Sequence, residues 1–486
     1  MTERRLVVIS NRLPSLKQES DWKSGKIPSA GGLVSALLPV MESSSQGLWM
    51  GWSGKTTSEA KSGTLSTVDL PIVRVLAMDL SERELNAYYN SFCNRTLWPM
   101  FHCFQSRVNE NEEDIHWYFE VNKKFSEKLL DFLKPDDMVW VHDYHMVPLG
   151  RYLRRGGFKG PLGFFLHIPF PPLEFIEILN DPLGFMDAWL YYDLIGFHTD
   201  RYQQNYFEVM ERLMLGVKEG DFLFAGRRSQ RVIVSPIGID TRIYDPRLEE
   251  QTKPQNELKL ENPTPGGQTI LSVDRLDYTK GIPERMSAFE HLLKKNPSLR
   301  KKISLTQICS PSRTKVKEYR EQKDIVDSMV GRINGEFSEH DWTPIRYLYR
   351  TYSQQDLAQL YRTSDICLVT PLRDGMNLVA IEYVAAQRPE APGVLVLSRF
   401  TGIAEFFTEA VLVNPYLPDS VAEGLERAYS MSYRERRDRY HAMYEYLTSN
   451  TAEAWARNFL EKLQSAHQEN RAGYKAITDM PAIGIA

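Results

Sequence analysis

Short apolar, β-branched runs alternate with helix-period patterns along almost the whole of this 486-residue chain. Strands separated by helical crossovers pair in parallel, and parallel sheets must be covered by helices on both faces. In the first half, strand-like runs fall at residues 6–10, 47–51, 138–142, 162–167, 194–198 and 232–236. Helical periodicity appears at 33–41, 82–90, 123–132 and 203–215. A polar, Pro/Gly-rich stretch from about Arg247 to Gly267 reads as a linker. A second series follows, with strands at 269–273, 303–308, 345–347, 366–370, 394–398 and 410–413. A helix rich in Ala and Leu is expected at 451–467. A chain of this length exceeds one core. The expected fold is therefore α/β, with two doubly wound, Rossmann-like domains facing a central cleft. The expected division is 1–245, 246–450 and a terminal helix within 451–486.

Composition removes several classes of function. A net charge of −4 and the lack of a basic tract with interleaved aromatics argue against a nucleic-acid partner. Cys93, Cys103, Cys309 and Cys367 are scattered, so neither a zinc site nor a disulfide framework is expected. No apolar run approaches the length of a membrane span, and the first residues do not read as a signal peptide. The expectation is a cytoplasmic protein with no membrane partner.

Ligands of doubly wound folds sit at the carboxyl ends of strands, so polar residues there are the candidates. The richest segment follows the run 366–370. Asp374-Gly375 supplies a turn, and an apolar helix is expected from Met376 onward. A helix start offers N–H groups and a positive dipole end to a phosphate. Glu382 lies seven residues past Gly375, about 10 Å along the axis, at the reach of a ribose once a pyrophosphate caps the helix. A glutamate in so apolar a helix needs a partner.

Other strand ends carry further polar groups. Arg275 and Lys280 place two cations five residues apart, suited to neutralising a departing diphosphate; Asp274 and Asp277 are near enough in sequence to satisfy them. Arg313 is a third cation at a strand end and, with Arg12 after the first strand, suits a phosphate on an acceptor. Gly31-Gly32 at a helix start allows close backbone approach by a ligand, without the G-x-G-x-x-G spacing of a nicotinamide site. His142-Asp143-Tyr144-His145 sets a carboxylate between histidines. Strand alternation would turn His142 and Asp143 to opposite faces, so a sugar hydroxyl is a better partner for Asp143 than a metal. His167 is held by the proline-fixed loop Ile168-Pro169-Phe170-Pro171-Pro172.

Eight motifs in order carry a family resemblance: Ser10-Asn11-Arg12, Gly31-Gly32-Leu33, Gly51-Trp52-Ser53-Gly54, Leu97-Trp98-Pro99, His142-Asp143-Tyr144-His145, the Phe165–Pro171 stretch, Arg275-Leu276-Asp277-Tyr278-Thr279-Lys280-Gly281 and Leu372-Arg373-Asp374-Gly375-Met376-Asn377-Leu378-Val379. The chain resembles the trehalose-6-phosphate synthase family of retaining GT-B glycosyltransferases. The resemblance implies transfer of glucose from UDP-glucose to glucose 6-phosphate, with no cofactor and no metal. It implies that Arg12, Tyr89, Trp98, Asp143 and Arg313 hold glucose 6-phosphate. It further implies that Gly31 and Gly32 approach the donor, and that Arg275 and Lys280 bind the diphosphate. Leu378, Val379 and Glu382 would bind nucleotide and ribose, Asp374 and His167 would surround the donor glucose, and backbone near Tyr352 would meet the nucleobase. Arg275, Lys280, His167, Asp143 and Asp374 are the expected catalytic set.

The resemblance also implies a front-face, oxocarbenium-like substitution and a terminal helix that crosses back to the first domain. Alternatives are a sister enzyme using another acceptor, such as a glucosylglycerol-phosphate or pseudo-sugar phosphate synthase, and a non-catalytic regulatory subunit. UDP, ADP and GDP donors all stay open, since backbone contacts to a base leave no side-chain signature. A homo-oligomer is compatible with this reading.

Overall fold

The computed structural model describes residues 4–13, 37, 41, 47–70, 73–245, 266–313 and 316–478, with side chains described to Asn470. The chain divides into two units, Met1–Pro236 with Glu453–Ala486, and Ile237–Ala452.

Unit 1 is built on β1 (Leu6–Arg12), β2 (Gly47–Thr57), β3 (Leu65–Asp69), β4 (Val73–Ser81), β5 (Met138–His142), β6 (Leu162–Phe165), β7 (Leu194–Phe197), β8 (Val217–Glu219), β9 (Phe222–Ala225) and β10 (Arg228–Val234). They form one sheet in the order β3-β4-β2-β1-β5-β6-β7-β10-β9-β8. The centre is parallel, and the antiparallel pairs β3–β4, β9–β10 and β8–β9 finish its two edges. The first six residues of β1 are all buried, as a strand covered on both faces requires. Its exposed end, Arg12, is in register with Trp52 of β2. Helix α1 (Glu112–Leu130) starts where the Asn111 side chain accepts the Glu113 N–H, ahead of an acidic first turn. Helix α2 (Asp200–Arg212) is capped in the same way by Thr199.

The segment expected as a helix at 82–90 opens with a capping box, Ser81 to Glu84, and continues as the π-helical stretch Leu85–Leu97. Of the helix expected at 33–41, only Leu37 and Met41 are described; both are helical and buried. The edge hairpin β3–β4 is absent from the sequence reading, and α1 begins well before the periodicity at 123–132 that announced it. The expected tail helix is Ala452–Thr478. Phe459 stacks on Trp140 at 4.3 Å, and Trp455 donates to the Ser235 carbonyl at 3.1 Å. This part of the helix therefore helps to cover the sheet of unit 1.

Unit 2 carries β11 (Gln268–Arg275), β12 (Ile303–Ser310), β13 (Ile345–Leu348), β14 (Ile366–Val369), β15 (Val394–Ser398) and β16 (Val411–Val413). These form an all-parallel sheet in the order β13-β12-β11-β14-β15-β16. The order reverses direction between β11 and β14, whose ends carry Arg275 and the Asp374 segment. Helices α3 (Ile282–Lys295), α4 (Lys317–Phe337) and α5 (Leu378–Ala386) supply crossovers. The core joins Ile270, Leu305 and Leu368 of the sheet to Met286, Phe289 and Ile333 of the helices. Most of the expected linker, and the Gly31-Gly32 turn, lie outside the described residues. Among the described residues, no helix is long and apolar enough to cross a membrane.

Candidate active site

In unit 1 the candidates gather around the ends of β1, β5 and β6. The guanidinium of Arg12 lies 5.4 Å from the Trp52 ring centre and 5.1 Å from that of Tyr89. Trp52 is its strand neighbour; Tyr89 comes from the π-helical stretch. Tyr89 stacks on His145 at 5.7 Å, and the adjoining Tyr144 ring lies 5.8 Å from Trp98. The turn Asp143-Tyr144-His145 is thus held between Tyr89 and Trp98. Asp143 itself has φ 73, the left-handed region, a backbone cost tolerated where surrounding structure fixes it. Its N–H donates to the Phe165 carbonyl at 2.8 Å, and its carboxylate accepts the His167 N–H at 3.3 Å.

Strand alternation therefore does not govern Asp143, because β5 ends at His142 and the next residue turns. The two side chains converge on one residue. His142 Nδ1 meets His167 Nε2 at 3.0 Å, while Asp143 takes the His167 backbone N–H. Burial pushes the His142 imidazole down to about 3. It also holds His167 well below its ordinary value, reinforced by His142 and His198. Both rings are neutral at pH 7, so His167 can exchange hydrogen bonds with a sugar hydroxyl without bringing charge.

In unit 2 the candidates lie at the ends of β11, β12 and β14. Lys280 Nζ pairs with Asp374 at 2.5 Å. Asp374 also accepts from Gly375 N–H and from Asn377 Nδ2, each at 3.0 Å. The helix α5 starts at Leu378 rather than Met376, because Asn377 caps it from the left-handed region and accepts the Ala380 N–H at 3.1 Å. The N–H groups of Leu378 and Val379 belong to the first turn, which has no intrahelical acceptor for them. Farther along α5, Glu382 accepts from the Tyr361 hydroxyl at 3.0 Å and also engages Tyr244. Burial pushes its carboxyl up to about 7, against the pull of those two hydroxyls. Tyr352 follows β13 and accepts at its hydroxyl from Arg350 at 2.7 Å.

The aspartates of the β11 loop find partners beyond their sequence neighbours Arg275 and Lys280. Asp274 points inward to Arg285 at 2.5 Å, and Asp277 pairs with Arg313 at 3.0 Å. Asp277 also accepts from Thr279 N–H and Oγ1, each at 3.0 Å. Burial opposes its charge, but Arg313 and Arg275 together hold its carboxyl below the ordinary value. Arg313, at φ 45, contacts Tyr319 as well. Arg275 is exposed at the end of β11. Gly281 adopts φ 62, and a Cβ there would meet the Thr370 carbonyl at 2.6 Å, so this turn excludes other residues.

Several contributors had no role in the sequence reading. Trp52 stood in one of the eight motifs, and strand register sets it beside Arg12. Tyr244 and Tyr361 reach Glu382 from distant segments. Arg285 carried a local signal: it is a charged residue on a helix face otherwise marked by Ile282, Met286 and Phe289.

The whole chain has well-defined relatives. It matches the family model for glycosyltransferase family 20 over residues 4–465. A trehalose-6-phosphate synthase of Sinorhizobium fredii is 38% identical over 467 residues, covering 95% of this chain and 98% of that one. An α,α-trehalose-phosphate synthase (UDP-forming) of Burkholderia xenovorans, solved in complex with glucose 6-phosphate, superposes with a TM-score of 0.87. It is 37% identical, covering 95% of this chain and 100% of that one. A structure from E. coli bound with UDP-2-fluoro glucose gives a TM-score of 0.85 at 38% identity, covering 95% and 99%. These solved structures are GT-B folds, and this chain shares that fold.

Proposed function

Because this chain belongs to glycosyltransferase family 20, we infer the role of each candidate residue from the reaction that such a chain performs. The enzyme moves glucose from UDP-glucose to glucose 6-phosphate with retention, releasing UDP and α,α-trehalose 6-phosphate. The observation that carries the assignment of roles is the junction of β11 and β14. There Lys280 and Asp374 meet beside the N-terminus of α5, where the sheet order reverses. A diphosphate bound there meets Arg275, Lys280 and the Leu378 and Val379 N–H groups. These donors stabilise charge that grows as the anomeric C–O bond breaks, and each is worth roughly 3–4 kcal/mol in such sites.

Unit 1 supplies the acceptor side. Arg12, pinned between Trp52 and Tyr89, takes the phosphate of glucose 6-phosphate, and Arg313 is the second guanidinium assigned to the acceptor by the family resemblance. Tyr89, Trp98 and Asp143 bind the sugar; His167 and Asp374 engage the donor glucose. Glu382 receives the ribose hydroxyls, and backbone near Tyr352 meets the base. Retention proceeds on one face. The anomeric hydroxyl of glucose 6-phosphate attacks as UDP leaves with the bonding pair, and its proton passes to the departing phosphate oxygen. Arg275 and Lys280 fill the electrostatic role that a metal plays in other transferases. The substrates, a sugar nucleotide and a hexose phosphate, fit a cytoplasmic enzyme. The deciding assay follows UDP release with glucose 6-phosphate against glycerol 3-phosphate, and with UDP-, ADP- and GDP-glucose. A preference for glycerol 3-phosphate would overturn the acceptor assignment.

A further inference from the structure

We propose that Arg285 is a positioning residue for the leaving-group cation Lys280, an inference that rests on the diphosphate role assigned to Lys280 above. Arg285 lies in the first turns of α3, and its side chain is wholly buried. Its fork reaches four groups. Nη1 donates to Asp274 at 2.5 Å and to Gln307 at 2.9 Å, Nε to Thr370 Oγ1 at 2.8 Å, and Nη2 to the Lys280 carbonyl at 3.1 Å. Asp274 ends the buried part of β11, Gln307 lies on β12, and Thr370 follows β14. One guanidinium therefore ties the backbone of Lys280 to three adjacent strands.

The connection to chemistry runs through geometry. Thr370 begins the segment that descends to Asp374, and Asp374 pairs with the Lys280 ammonium. Arg285 holds the Lys280 main chain and the root of the Asp374 segment at the same time. Neighbouring bonds act in the same direction: the Leu372 N–H donates to the Thr279 carbonyl at 2.9 Å, and the Arg285 N–H donates to the Gly281 carbonyl at 2.9 Å. A planar fork with several fixed donors performs this task, and a lysine with one point charge cannot reach all four partners. Burying such a charge is costly unless it is fully paired, so its value lies in the arrangement it imposes rather than in net stability.

The test compares Arg285→Lys, Arg285→Met with Asp274→Asn, Lys280→Ala, and Lys280→Ala combined with Arg285→Lys. Arg285→Lys keeps the buried charge, and the Met/Asn pair removes both charges together, so the buried pair is probed with and without its charge. In the folded variants kcat should fall about 10–100-fold, the loss expected from a small misplacement of a catalytic group. The KM for glucose 6-phosphate should stay unchanged. In the Lys280→Ala background, Arg285→Lys should cost little more, because residues that act through one another are not additive. A melting temperature that falls while kcat per folded enzyme stays at the wild-type value would overturn the proposal. So would full additivity of the two changes. If Lys280→Ala itself leaves kcat/KM intact, the diphosphate role fails instead, and the two failures are thereby distinguished.

Discussion

In unit 1, Arg12 rests on the faces of Trp52 and Tyr89, and among the described residues no carboxylate pairs with it. In unit 2, Lys280 is paired with Asp374, Arg313 with Asp277, and Arg285 with Asp274. Aromatic faces hold a guanidinium with about 0.5–2 kcal/mol and leave its charge intact. Carboxylates hold a cation more tightly and cancel much of its field. Under the proposed role of Arg12, its guanidinium would meet a phosphate without a carboxylate partner among the described residues. Under the proposed roles a diphosphate would share Lys280 with Asp374, and Arg313, assigned to the acceptor phosphate, is likewise shared with Asp277.

The largest effect should come from Arg275→Ala, which removes the exposed cation at the end of β11. Steady-state assays should show kcat/KM falling by about 10²–10³-fold while the protein stays folded. Survival of activity would remove the leaving-group role. Arg12→Ala comes next. The KM for glucose 6-phosphate should rise about 10–100-fold, the value of charge-assisted hydrogen bonds worth about 1.5–3 kcal/mol, with kcat little altered. A fall in kcat at constant KM would place Arg12 outside the phosphate site.

Asp374→Asn separates competition from orientation. If Asp374 competes for Lys280, calorimetry should find UDP binding at least as tight as in the wild type, while kcat falls about tenfold through loss of the sugar contact. Weaker UDP binding would show that the pair mainly orients Lys280. The last prediction concerns Glu382. Its carboxyl is raised from 4.5 to about 7, so the fold favours the protonated form. Its contribution is therefore fully present below about 4.5 and is lost as pH rises through about 7. Melting temperatures of the wild type should fall relative to Glu382→Gln across that window. Parallel curves would show that Tyr244 and Tyr361 compensate the charge.

Much of the fold was legible because parallel strands, buried on both faces, write themselves as apolar runs. Positions 138–142 and 394–398 coincide with β5 and β15. Strand β3, Leu65–Asp69, was missed because it is exposed and lacks such a run, whereas β4, Val73–Ser81, carries one that the sequence reading passed over. The π-helical stretch was read as an ordinary helix, since a wider turn leaves no separate mark in apolar spacing. Arg12, Asp143, His167, Arg275, Lys280, Arg313 and Asp374 stood out by their place after strands, whereas Tyr89, Trp98 and Tyr352 came only from the family resemblance. Salt-bridge partners were not legible: Asp274 and Asp277 stood next to Arg275 and Lys280 in sequence, yet form their salt bridges with Arg285 and Arg313.

The sequence by itself determined the alternating architecture, the family, and which polar residues stand at the carboxyl ends of strands. Those properties are local, set by period, turn residues and motif order. Tertiary structure alone decided who pairs with whom. Salt bridges and stacked rings depend on distances between strands far apart in the chain, as Lys280 with Asp374 and Arg12 with Tyr89 show.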